Sequence, residues 1–173
     1  MILLFRSVTQ DRTAYPSGQC TEATIASILN VGLEEVPDLW TGDPRCPYSR
    51  SPERWMALHE WLKEKGLIIV ALHWTPRSLP LTVPYMDPEF DARDIGSLID
   101  YSKPHGLSGQ NPADGVSHFC VGVEGQIVWD PHPKRLGLYD CDGAMFIIER
   151  KTVPKEMGDW PSISVKLDKF EEG

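Results

Sequence analysis

The sequence predicts an α+β domain, helical early and antiparallel β late, and three observations predict it. Residues 20–30, CTEATIASILN, are apolar on more than one face, as a central buried helix requires. Residues 52–65 carry an amphipathic stripe of Trp55, Leu58, Trp61 and Leu62. From 117 onward the chain reads as short β segments joined by glycine turns, SHFCVGVEGQIVWD and then GAMFIIER. Helices followed by hairpins argue against a parallel α/β sheet. The first long helix is therefore expected to pack on an antiparallel sheet built mostly from the second half.

Taken in order, residues 3–8 read as a short first strand and 9–19 as a polar, turn-rich stretch. The helix at 20–30 is expected to stop at Val31-Gly32, with Gly32 taking the left-handed position past its end. LEEVPDLW adds one turn before Pro37. The helix at 52–65 has Ser51 as N-cap, Pro52 at its first position and Gly66 beyond its end. The uninterrupted apolar run 67–72 is a covered strand. Prolines between 73 and 89 exclude regular structure, and a loop of that length usually walls or covers a site. Residues 95–101 read as a strand, 105–115 as a Gly-, Ser- and Asn-rich loop, 117–130 as a hairpin and 143–150 as a further strand.

At 173 residues the chain suits one core, so a single domain over 1–173 is expected, with 151–173 as a C-terminal strap. Six tryptophans and 41% hydrophobic residues exclude a disordered chain. A net charge of −8 without a run of Lys and Arg argues against nucleic-acid binding and against an anionic membrane surface. The apolar run at 2–5 is too short for a signal peptide or a membrane span, so a cytoplasmic protein is expected. Cys20, Cys46, Cys120 and Cys141 include no C-x-x-C pair, which favours reduced thiols over a disulfide framework or a zinc knuckle.

In SGQCTEATIASIL, a cysteine follows a small-residue turn and opens a helix, and three roles suit it: packing residue, metal ligand or nucleophile. The hairpin favours the last. If Val123, Glu124 and Gly125 form a three-residue loop, Gly122 pairs with Gln126, and His118 then lies directly opposite Asp130. Both share a face with Cys120 and Val128, while Phe119, Val121, Ile127 and Trp129 cover the other. A two-residue turn at Glu124-Gly125 would instead send His118 and Asp130 to opposite faces. A carboxylate across from an imidazole fixes its tautomer and stabilises the imidazolium. Cys20 is the candidate nucleophile for the other ring nitrogen, because unpaired N–H groups and the dipole at a helix start favour thiolate. Gln10 is the candidate side-chain donor to an oxyanion, with the Cys20 N–H as second donor; Gln19 is too close in sequence to aim there.

The remaining chemistry-bearing side chains have simpler expected places. Cys120 reads as core packing, Cys46 as a loop thiol, and His132, between two prolines, as the rival to His118. His59 is expected to face solvent, while His73 and His105 are loop residues without an evident partner. Trp40 and Trp74, each beside a loop, are candidate pocket walls. A metalloprotein using Cys20, His118, Asp130 and another thiol is the weakest alternative, since the ligands lack local pairing, and no resident metal or cofactor is expected.

Two stretches carry a family likeness. GQCTEATIASIL with EEVP, and SHFCVGVEGQIVWDPHP, resemble the small papain-like cysteine peptidases of bacteria and bacteriophages over about residues 8–140. The resemblance implies a papain-like fold, with Cys20 as nucleophile, His118 as general base and acid, Asp130 as orienting residue and Gln10 as oxyanion donor. It implies hydrolysis of a peptide, isopeptide or related amide bond through a thioester, in the cytoplasm of a bacterial or phage-infected cell. The substrate would be a peptide or protein conjugate, with oligomeric state left open. The alternative is a non-catalytic binding or inhibitory phage protein acting on a host protein.

Overall fold

The computed structural model describes residues 5–13, 18–40, 52–73 and 99–149. Ser51, Cys46, Trp74, the His73 side chain, nearly all of the proline-rich loop, most of the strand expected at 95–101 and the strap at 151–173 lie outside them. Helix α1 spans Cys20–Leu29 and α2 spans Pro52–Glu64, with a 3₁₀ turn at Leu33–Glu35 between them. The strands are β1 (Leu67–His73), β2 (His105–Gln110), β3 (Ser117–Val123), β4 (Gln126–Trp129) and β5 (Cys141–Glu149). They form one antiparallel sheet in the order β1-β5-β2-β3-β4. The architecture is α+β: α1 packs on β3 and β2, and α2 packs on β1.

All residues of α1 from Cys20 to Ser27 are buried. The core lies between the helices and the sheet: Ala23, Ile25 and Ala26 of α1 meet Leu58 and Leu62 of α2, Val36 and Leu39, and Ile69 and Met145 of the sheet. Trp55 and Trp61 pack against this cluster from the rim, completing the stripe expected on α2. At the end of α1, Asn30 takes the left-handed conformation (φ 58°), and its N–H reaches Ala26 O and Ser27 O. Gly32 is extended instead, at φ −73°. Asn tolerates the left-handed region through its short polar side chain, so the helix stops two residues earlier than its glycine suggests. Gly66, at φ 70°, does hold that position after α2.

Two sequence expectations are corrected. Phe5–Val8 is not a strand: Arg6 N donates to Ser27 O and Val8 N to Ser27 Oγ, so this segment satisfies its amides on α1 instead of on a neighbouring strand. Residues 105–110 are not loop but β2, an inner strand paired with both β3 and β5. Residues 99–101, the described end of the other expected strand, are not β either.

The glycines that made β2 look like loop are the reason it fits. A Cβ on Gly106 would meet Met145 at 3.0 Å and Thr24 of α1 at 3.4 Å, and one on Gly109 would overlap the Asp140 carbonyl at 1.8 Å. Close backbone approach in a covered strand is a recognised use of glycine. His105 is likewise no loop residue: it is fully buried, stacks on Phe146 with centroids 5.0 Å apart, and donates Nδ1–H to Lys103 O. Burial holds its pKa below the usual histidine value despite that hydrogen bond. His59 is half-buried beside Trp55 rather than facing solvent, and burial lowers its pKa as well.

Among the described residues no helix is long and apolar enough to cross a membrane. Because the obstacle at Gly109 is backbone and not a movable side chain, Gly109→Ala is expected to destabilise the fold by about 1–3 kcal/mol. Urea unfolding monitored by tryptophan fluorescence checks this, and an unchanged midpoint would show that β2 does not need the glycine.

Candidate active site

The β3–β4 ribbon sets the geometry. Its turn is the two-residue kind: Glu124 (φ 52°) and Gly125 (φ 73°) both take left-handed backbone, and Val123 pairs with Gln126. The three-residue loop expected above is therefore absent. Taken alone, this turn would put His118 and Asp130 on opposite faces. A β-bulge cancels the slip. Gly122 pairs with Ile127 but Val121 pairs with Trp129, which leaves Val128 as the extra residue.

Continued one step, that register sets Asp130 across from Cys120, with His118 diagonal to it on the same face. The bulge also moves two neighbours. Ile127 shares the face of Gly122 instead of that of Trp129, and Val128 has no paired position beside Cys120. Both are exposed, at 42% and 37%.

His118 and Asp130 are buried, and His118 Nε2 lies 2.8 Å from Asp130 Oδ1. The loop after β4 wraps the same carboxylate: His132 N donates to Oδ1 and Gly137 N to Oδ2, each at 2.8 Å. Burial acts to raise the Asp130 pKa, but the hydrogen bonds from His118, His132 and Gly137 outweigh it and hold it below the usual carboxylate value. For His118, burial pulls the pKa down; the hydrogen bond to Asp130, contacts with the Cys120 and Cys20 thiols and the charge of Cys20 outweigh this and push it up to about 11. His132 stands edge-on to His118 at 6.0 Å, with its Nδ1 accepting from Lys134 N inside the turn. Of these two histidines, His118 is the one paired with the buried acid.

Cys20 is 6% exposed, opens α1 and contacts the His118 imidazole. With Nε2 committed to Asp130, the ring nitrogen left for a thiol is Nδ1. The helix start has no side-chain cap. The Gln19 side chain instead accepts from Arg12 N, and Gln19 N donates to Arg12 O. Gln10 is buried, its N–H bonded to the carbonyl of Pro131 beside Asp130, and its Oε1 has no partner among the described residues. The structure thus brings Cys20, His118 and Asp130 together and anchors the Gln10 backbone to the acid-bearing loop. Trp40 sits under the Arg12 guanidinium at 5.2 Å, and Arg12 also binds Asp38 at 2.6 Å, so the Gln19–Arg12 contact links this tryptophan to the helix start.

Three residues take roles here that no local pattern in the sequence signals. Gly137 closes the loop on Asp130 at φ 71°, a position signalled only by its glycine. Glu22 in the first turn of α1 is 2% exposed and accepts from Leu39 N through Oε1, tying the helix to the segment after the 3₁₀ turn. Cys120 does more than pack: it contacts His118, and burial raises its pKa more than the imidazole lowers it.

If the Asp130 carboxylate sets the imidazole's affinity for protons, His118 stays protonated through neutral pH and titrates only in the alkaline range. Its folded pKa lies above the unfolded one, so its contribution to stability is full below the ordinary histidine value and is lost as pH rises toward about 11. NMR titration of labelled imidazoles should show this signal, and Asp130→Asn should lower its pKa by roughly 1–3 pH units. A His118 titrating near its ordinary value in the unaltered protein would contradict the assignment.

Comparison with protein-family models, curated proteins and solved structures found no match to this chain.

Proposed function

We propose that the protein is a papain-like cysteine hydrolase that cleaves a peptide, isopeptide or related amide bond. The observation that carries this reading is the buried His118–Asp130 pair with the Cys20 thiol against the same imidazole, at the uncapped start of α1. An imidazolium on one side and the positive end of a helix on the other both favour the thiolate.

In the proposed reaction the Cys20 thiolate attacks the carbonyl carbon of the scissile amide. The negative charge that develops on oxygen is received by the Gln10 side-chain amide and the Cys20 N–H. His118 gives its proton to the leaving nitrogen as the carbon–nitrogen bond breaks, which frees an amine and leaves a thioester. The imidazole, now neutral, takes a proton from water; hydroxide adds to the thioester, the acid departs and the thiolate–imidazolium pair is restored. Asp130 holds the ring throughout, and Trp40 is the candidate wall for the substrate side chain. An intracellular peptide or protein conjugate in a bacterial or phage-infected cell is the substrate class most consistent with the sequence.

Iodoacetamide should alkylate Cys20 ahead of Cys120, which is fully buried, and should still do so at mildly acidic pH. His118→Ala should slow that labelling; equal, slow reaction of all four thiols would sink the thiolate–imidazolium assignment. In a mass-spectrometric screen of peptide and isopeptide substrates, Cys20→Ala should abolish product release. Gln10→Ala should lower kcat about 10²–10³-fold with little change in KM. A biological effect that survives Cys20→Ala would favour a binding or inhibitory protein over a hydrolase.

A further inference from the structure

The proposed reaction draws on Asp130 of the segment DPHP and leaves the His132 side chain without a task. Pro131 and Pro133 carry no N–H and disfavour helical backbone at the residues before them, Asp130 and His132. Each of those two side chains accepts from the N–H two residues on: Asp130 Oδ1 from His132 N at 2.8 Å, and His132 Nδ1 from Lys134 N at 3.1 Å. This is the turn that Asn and Asp side chains usually make, repeated in tandem with an imidazole as the second acceptor. A tighter turn follows, in which Arg135 N donates to His132 O at 2.9 Å. Arg135 takes left-handed backbone there, at φ 50°, a conformation that a residue with a side chain keeps only where its surroundings impose it. Its guanidinium lies over the Trp129 ring at 4.2 Å, and two residues later Gly137 N reaches Asp130 Oδ2. The path between the two amides that grip the carboxylate therefore runs through the turn that His132 Nδ1 closes. A ring nitrogen that accepts carries no proton, so the neutral His132 ring is the Nε2–H tautomer.

We propose that His132 is a positioning residue for Asp130: its Nδ1 lone pair, by holding Lys134 N, sets the turn that aims the His132 and Gly137 amides at the carboxylate. The role needs an acceptor near the backbone at position 132, which Asn offers and Ala does not. Its purpose, orienting the acid that holds His118, rests on the hydrolase reading, but the grip on Asp130 is measured without turnover.

The test follows the Asp130 carboxyl carbon of the full chain by NMR through the acid range, together with hydrogen exchange of the Gly137 amide. Amides donated to a carboxylate favour its charged form, and in the unaltered protein Asp130 titrates below the usual carboxylate value. His132→Ala is expected to raise that titration by roughly one pH unit and to speed Gly137 exchange. His132→Asn is expected to restore both. An Asp130 titration unmoved by His132→Ala, or moved as far by His132→Asn, overturns the proposal. Should His132→Ala fail to fold, the ring nitrogens of the unaltered chain decide: scalar coupling from the Lys134 amide to an unprotonated Nδ1 of His132 supports the role, and a proton on Nδ1 overturns it. The expected dependence on position 132 without amide cleavage would remove the hydrolase reading alone; cleavage with an unmoved Asp130 titration would remove this role alone.

Discussion

Taking an imidazole and a carboxylate out of water removes hydration worth several kcal/mol per ion, and their attraction compensates only where the remaining polar atoms also find partners. The His118–Asp130 pair meets that condition through the loop after β4. Two backbone amides close on the carboxylate, one from His132 and one from Gly137. The proline-flanked segment is therefore part of the ionic site as much as of the chain path. Gly137 is fixed there by its left-handed backbone, and Pro131 gives its carbonyl to Gln10, so the strand end, the acid and the N-terminal segment are held by one set of hydrogen bonds. Trp129, whose Nε1 donates to Val8 O, adds a second tie between the same two segments.

The opposite side of the site depends on burial of α1. A helix covered from Cys20 to Ser27 cannot shift without breaking the core, and the sulfur at its first position inherits that rigidity. The glycines of β2 contribute from beneath: with no side chain at 106, the strand leaves room for Met145 of β5, which belongs to the core that covers the helix. Positioning the thiol is thus a consequence of packing several residues away from it. The local chain before it is organised separately, by the reciprocal Arg12–Gln19 hydrogen bonds.

How much of this was legible varied with the physics that each element uses. The buried helix and the amphipathic one announce themselves through hydrophobic spacing, because burial alone determines both. The strand at 105–110 was hidden, since its fitness lies in close backbone approach, a tertiary property that composition reports as loop. The first segment departs from its pattern for the converse reason: its apolar residues suit a strand, but its amides are satisfied by Ser27. Glu22 acts through Leu39 and Gly137 through Asp130, at the other end of an irregular loop, and neither contact leaves a local pattern. Cys120 stood on the correct face in the strand alternation, yet a lone strand cysteine is indistinguishable from packing until its neighbours are known.

The ribbon between His118 and Asp130 combines a two-residue turn with a bulge, and the bulge restores the shared face that the turn alone would lose. Chain length over this interval is consequently constrained by the two features together rather than by either one. A single-residue deletion or insertion between Cys120 and Asp130 would reverse the acid relative to the imidazole while leaving composition almost untouched. A second length change in the same interval could restore it. Drift in loop length here should therefore proceed by coupled steps, with the intermediates folded but chemically mute.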